Sequence, residues 1–121
     1  MLEAQQYGVV AAYLFGSFAR GTGRSDSDVD IAVLYAQAPA PTLDAQPFRL
    51  EGELERAVGR PVQVVNLHSA PIDLVHRILR DGKLLLDRDR SARIAFEVRA
   101  RNEYFDLEPV LRRYRRQERP T

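Results

Sequence analysis

Apolar positions fall in short blocks separated by polar or glycine-rich connectors, and the spacing inside each block sets its element. Residues 9–15 (VVAAYLF) form an unbroken apolar run stopped by Gly16, as expected of a buried strand. Residues 1–7 read as the end of a helix feeding into it. Residues 28–34 (DVDIAVL) alternate and are rich in β-branched side chains, which predicts a second strand able to pair with the first. Residues 62–67 (VQVVNL) predict a third strand, and 83–86 a small strand or extended connector.

Three segments carry helical spacing instead. Across 44–58, Leu50, Leu54, Ala57 and Val58 share a face while Arg49, Glu53 and Arg56 lie outward, with Gly59 as the stop. Ser69 and Pro71 open a short helix that carries Leu74, Val75, Ile78 and Leu79 and ends at Gly82. From Asp89 a longer helix runs through Ile94, Ala95, Val98 and Phe105. Pro109 is expected to restart it, with Val110, Leu111 and Tyr114 inward, before a polar tail that frays from Arg112. The order α-β-β-α-β-α-β-α predicts an α/β (α+β) domain built on a small mixed sheet flanked by helices.

Composition narrows the function classes. With 121 residues, 45% apolar and 29% charged, the chain reads as one domain over 1–121, with a basic tail from about 112. There is no Cys, which excludes disulfides, thiolate metal sites and a Cys nucleophile. No apolar run approaches the roughly 20 residues that cross a bilayer, and the first residues lack a basic stretch leading into an apolar core. A cytoplasmic address and no membrane partner are therefore expected. The net charge is +1, so no global field advertises nucleic acid. Charge is nonetheless uneven: residues 1–87 hold 8 basic and 11 acidic groups, residues 88–121 hold 10 and 6. Arg112, Arg113, Arg115 and Arg116 beside Tyr114 read as a solvated helix end, and direct nucleic-acid binding is not expected.

The chemistry concentrates in 16–30, GSFARGTGRSDSDVD. Alternation along a strand puts Asp28 and Asp30 on one face, about 6.7 Å apart along the chain. Val29, Ile31 and Val33 then point to the other face and into the core. Two carboxylates so spaced suit Mg²⁺, a hard ion that takes oxygen ligands and is completed by water and substrate phosphates. Gly16 and Ser17, at a strand end, supply what a phosphate needs: a closely approachable backbone, N–H donors and a hydroxyl. Together these are the ingredients of metal-assisted nucleotidyl transfer. His68 reads as a loop residue and His76 as a surface residue.

The pattern Gly16-Ser17-x10-Asp28-x-Asp30, with the arginine and glycine of GSFARG between, resembles the signature of the DNA polymerase β-type nucleotidyltransferase superfamily. The likeness is nearest to its smallest members, the minimal nucleotidyltransferases (MNT), and extends through VQVVNLHSAP, RDGKLLLDRD and RNEYFDLEPVLRRYR. The resemblance implies that Gly16 and Ser17 hold the triphosphate of ATP and that Asp28 and Asp30 bind Mg²⁺ as the catalytic carboxylates. Arg20, and after it Arg24, would pair with phosphate oxygens, with Asp26 nearby. It also implies an antitoxin role: minimal members neutralise HEPN ribonuclease toxins by placing AMP on a tyrosine hydroxyl of that partner.

One position departs from the family pattern. The superfamily adds a third carboxylate from a later strand, and the corresponding positions here are Gln63 and, next in register, Asn66. An amide carries no charge and takes no proton at neutral pH. The alternative to the enzyme is therefore an antitoxin of the same fold that neutralises the HEPN partner by binding alone.

Overall fold

The structure, a computed structural model, describes residues 8–17, 21, 28–36 and 46–118. The helix expected at 1–7, and Arg20, Arg24 and Asp26, lie outside the described residues. Four strands and three helices follow in the order β1 (Val9–Phe15), β2 (Val29–Tyr35), α1 (Gln46–Val58), β3 (Val62–Asn66), α2 (Ile72–Asp81), β4 (Lys83–Asp87) and α3 (Arg90–Glu118). The strands form one mixed sheet in the order β3-β2-β1-β4. β1 runs antiparallel to both β2 and β4, whereas β3 lies parallel to β2. A parallel neighbour requires a crossover, and α1 supplies it.

The two central strands are the apolar runs because helices cover both faces of the sheet. Val9, Ala12, Ile31 and Val33 pack with Leu50 of α1 and Val62 on one face. Ala11, Tyr13, Ala32 and Leu34 pack on the other, under Val75 and Ile78 of α2 and Phe96 of α3. This division fixes the parity of the second strand: Asp30 shares its face with Ala32 and Leu34, and Val29, Ile31 and Val33 take the opposite face, as the alternation requires. The outer edge of β3 is closed by side chains. The N–H groups of Val62 and Val64 donate to Glu55 Oε1 at 3.1 Å and Glu51 Oε1 at 2.8 Å, two carboxylates one turn apart on α1. Satisfying these donors removes a ready template for another strand.

Three sequence expectations are corrected. Pro71, not Ser69, occupies the N-cap of α2, and no side chain caps it. Ser69 is taken up by the turn after β3, where its N–H and hydroxyl both donate to the Asn66 carbonyl. Pro109 does not restart a helix: α3 runs unbroken from Arg90 to Glu118 with Pro109 inside it, so the described part of the tail from Arg112 is helical, and 119–121 lie outside the described residues. Pro109 lies on an exposed stretch, where water can serve the carbonyl that its missing N–H leaves open. Finally, Val110 and Tyr114 are exposed rather than inward, because α3 runs past the elements that could cover them.

Candidate active site

The site is built where the end of β1 meets the start of β2. Phe15, the last residue of β1, is the register partner of Asp30. The chain then turns at Gly16, which has φ +76°. That conformation favours glycine, and space demands it as well. A Cβ at Gly16 would collide with Asp30 Oδ2 and lie 3.2 Å from Asp30 Cγ. The Gly16-Ser17 backbone is therefore seated directly on the Asp30 carboxylate. Asp28 stands exposed immediately before β2, and the Val29 N–H donates to the Pro61 carbonyl at 2.9 Å, tying the base of β2 to the approach of β3.

Across the parallel pair, Asp30 is in register with Gln63. Gln63 shares its parity with Val65 and Leu67, which pack on the face of Ala32 and Leu34, so the amide and the carboxylate leave the sheet on the same side. Asn66 has the other parity, and its Oδ1 is engaged by the His68 N–H at 2.9 Å. Gly16, Ser17, Asp28, Asp30 and Gln63 are thus brought to one end of the sheet; Arg20 lies outside the described residues.

The donor set suits a hard divalent cation. It offers two carboxylates and an amide oxygen, and among the described residues no three of His, Cys, Asp and Glu come together. Such a site leaves positions for water and phosphate oxygens. The small cradle that only glycine permits beside Asp30 is where a phosphate could approach both the backbone and the ion.

The histidines belong elsewhere. His68 sits at the opposite end of the strands, its Nε2 3.0 Å from the Tyr35 carbonyl and its ring edge-on to Phe96. There it lines a groove of about 650 Å³ with Leu67, Val75 and Phe96. His76 is half-buried rather than a simple surface residue, stacked on Tyr104 with ring centroids 3.7 Å apart. A further polar group had no sequence signal. Tyr13 donates to Glu97 Oε1 at 2.7 Å, and Arg93 bridges Glu97 and Asp87, each at 3.0 Å, clamping α3 to β1 and β4.

The chain thus combines a glycine turn seated on the Asp30 carboxylate, Asp28 just before the same strand, and a β3-β2-β1-β4 mixed sheet. The chain belongs to the polymerase beta nucleotidyltransferase family, whose sequence profile matches residues 2–91. It is 40% identical over 74 residues to protein adenylyltransferase MntA of Shewanella oneidensis, which covers 60% of this chain and 50% of that protein. It is 32% identical over 77 residues to protein adenylyltransferase MntA of Thermococcus cleftensis, covering 64% and 75%. The alignment thus spans half the length of the Shewanella relative. Among solved structures, a chain of a toxin–antitoxin complex with AMP-PNP superposes with a TM-score of 0.80 at 26% identity, covering 96% of this chain and 92% of that one. A chain from the complex of tri-AMPylated Shewanella oneidensis HEPN toxin with MNT antitoxin superposes at 0.70 and 25% identity, covering 91% and 82%.

Proposed function

We propose that this chain is an antitoxin nucleotidyltransferase that moves AMP from ATP to a tyrosine hydroxyl of a HEPN ribonuclease partner. The observation that carries the reading is the contact of the Gly16 turn with Asp30, with Asp28 two residues upstream, immediately before β2. It is supported by the adenylyltransferase relatives and by structural neighbours crystallised with AMP-PNP or with an AMPylated toxin.

Each residue has a defined task. The backbone at Gly16 and Ser17, with the Ser17 hydroxyl, binds phosphate oxygens, and Arg20 is assigned to pair with them. Asp28 and Asp30 would hold Mg²⁺, which when bound neutralises phosphate charge and orients the α-phosphate. The tyrosine oxygen forms a bond to the α-phosphorus while the α–β bridging bond breaks, and pyrophosphate leaves. Holding donor and acceptor in line is the main contribution of so small a site. Gln63 beside Asp30 cannot take the tyrosine proton, which therefore passes to water or to a base on the partner.

Calorimetric titration with ATP, with and without Mg²⁺, tests the site. Binding that depends on Mg²⁺ and is lost in the Asp28→Asn, Asp30→Asn double variant is expected; unchanged Mg·ATP binding by that variant overturns the assignment. Mass spectrometry of a HEPN-domain ribonuclease incubated with this chain, ATP and Mg²⁺ tests the reaction, with a gain of about 329 Da for each AMP attached. One specific feature, the neutral Gln63, favours a second reading in which binding alone silences the partner. A fully inhibited partner of unchanged mass would select it.

A further inference from the structure

Helix α1 carries the pair Leu-Glu twice, at Leu50-Glu51 and Leu54-Glu55, one helical turn apart. Both leucines pack with Val62 and Val64 on one face of the sheet. The glutamates beside them reach the outer edge of β3. There Glu55 Oε1 accepts from the Val62 N–H at 3.1 Å and Glu51 Oε1 from the Val64 N–H at 2.8 Å. The two spacings match, since four residues of helix advance about 6.0 Å and two residues of parallel strand about 6.6 Å. Gln63 is the residue enclosed between the two bonds.

That enclosure decides what faces Asp30. β3 lies at the edge of the sheet, hydrogen-bonded to β2, with Gln63 in register with Asp30. A one-residue slip of β3 would exchange its two edges and its two faces together. In one direction it would offer Pro61, which has no N–H, to Glu55. In either direction it would set a valine, Val62 or Val64, against Asp30. The carboxylates therefore select the donors of Val62 and Val64, and by doing so select the parity of the strand. α1 thus reads the register of β3 at two points, and the residue between those points is the one that joins the candidate site.

We infer that Glu51 and Glu55 are positioning residues of the nucleotide site, holding β3 in the register that puts the Gln63 amide beside Asp30. This rests on the proposed function, in which that end of the sheet binds Mg·ATP. Both bonds lie on the edge of β3 away from β2 and Asp30, so each glutamate acts through the strand and through Gln63. The bonds need an oxygen acceptor at that reach, which a glutamine also supplies.

Calorimetric titration of the full chain with ATP, across a series of Mg²⁺ concentrations, gives the Mg²⁺ needed for half-maximal binding by each variant. Amide hydrogen exchange of the metal-free chain reads β3 directly. Glu51→Ala with Glu55→Ala should raise the Mg²⁺ requirement at least about tenfold and speed exchange at Val62, Gln63 and Val64, whereas Glu51→Gln with Glu55→Gln should stay within about threefold of the parent. Arg56→Ala, at an exposed position of the same helix, should bind like the parent. A general loss of stability would be indifferent to Gln63. In Gln63→Ala, which itself raises the Mg²⁺ requirement, the two alanines should therefore add little, although they lower the unfolding temperature equally in both backgrounds. The single variants, measured well below their unfolding temperatures, serve where the double variant does not fold. The inference is overturned, with the functional reading left standing, by an unchanged Mg²⁺ requirement in the alanine variants or in Gln63→Ala. Failure of the glutamine pair to rescue, or equal losses with and without Gln63, overturns it in the same way. A parent that binds no Mg·ATP overturns both.

Discussion

Asp30 and Gln63 are register partners across the parallel β2–β3 pair, and both side chains leave the sheet on the face of α2 and α3. On the proposed reading, the amide stands where the superfamily places a third acid. The site then has one fewer negative charge and no base beside the attacking hydroxyl. Positioned acid–base help is typically worth about 10²–10⁴-fold in rate, so transfer should be slow and Gln63→Asp should accelerate it. Asn66→Asp is the control, because its side chain has the other parity and already accepts the His68 N–H. Single-turnover rates for the three proteins decide. Equal rates for the parent and Gln63→Asp would show that a base on the partner already serves.

Gly16→Ala should abolish Mg·ATP binding. Its Cβ would meet the Asp30 carboxylate, and φ +76° adds about 1–2 kcal/mol of backbone strain for any L side chain. Gly21→Ala separates the two effects. Its φ of +75° imposes the same strain, but among the described residues nothing lies within 4 Å of its Cβ. Both variants should unfold at lower temperature, and only Gly16→Ala should lose the nucleotide. Loss in both would mean that strain alone, not displacement of Asp30, disables the site.

How far the sequence carried the reading varies with the range of the interaction. β1 was legible to the residue because its run is buried on both faces and stopped by a glycine with positive φ. The faces of Asp30 and Val29 were legible because strand alternation is a local rule. That Gln63, rather than Asn66, lies beside Asp30 needed the strand register, which depends on where α1 lets β3 begin. The Tyr13–Glu97 bond spans 84 positions and leaves no local mark. The Pro109 expectation fails because proline on an exposed stretch of helix leaves a carbonyl that water can serve, and the Val110 expectation fails because an apolar period does not by itself supply an intramolecular partner where α3 outruns the fold.

Gly82→Ala should destabilise the fold by about 1–3 kcal/mol through steric overpacking. The backbone there is extended, φ −72° and ψ 160°, so strain is not the cause. A Cβ would stand 2.5 Å from the Ile78 carbonyl oxygen and 3.1 Å from that of Leu14, and neither backbone can yield cheaply. Gly52→Ala, in the middle of α1 with only Arg56 Nη1 at 3.9 Å, should move stability the other way by about 1 kcal/mol. Urea unfolding of both variants checks the opposite signs.

The Tyr13 cluster makes the fold sensitive to alkali. Burial pushes the phenol well above its ordinary pKa of 10.0, and its hydrogen bond to Glu97 and the negative charge there push the same way; nearby Arg93 pulls it down and is outweighed. In the unfolded chain the phenol ionises near the ordinary value, while the folded chain keeps its proton. Above pH 10 the unfolded state therefore binds fewer protons, and stability must fall as pH rises, by up to about 1.4 kcal/mol per pH unit; below pH 10 this group adds no slope. Tyr13→Phe should cost about 1 kcal/mol at neutral pH by losing the bond to Glu97, and its stability should then decline less steeply between pH 10 and 11. The other four tyrosines are common to both proteins and cancel in the difference. Urea unfolding at pH 8, 9.5, 10.5 and 11 gives the two curves. Parallel decline would mean that the phenol is already ionised in the folded protein and that α3 is held to β1 and β4 by the Arg93 ion pairs alone.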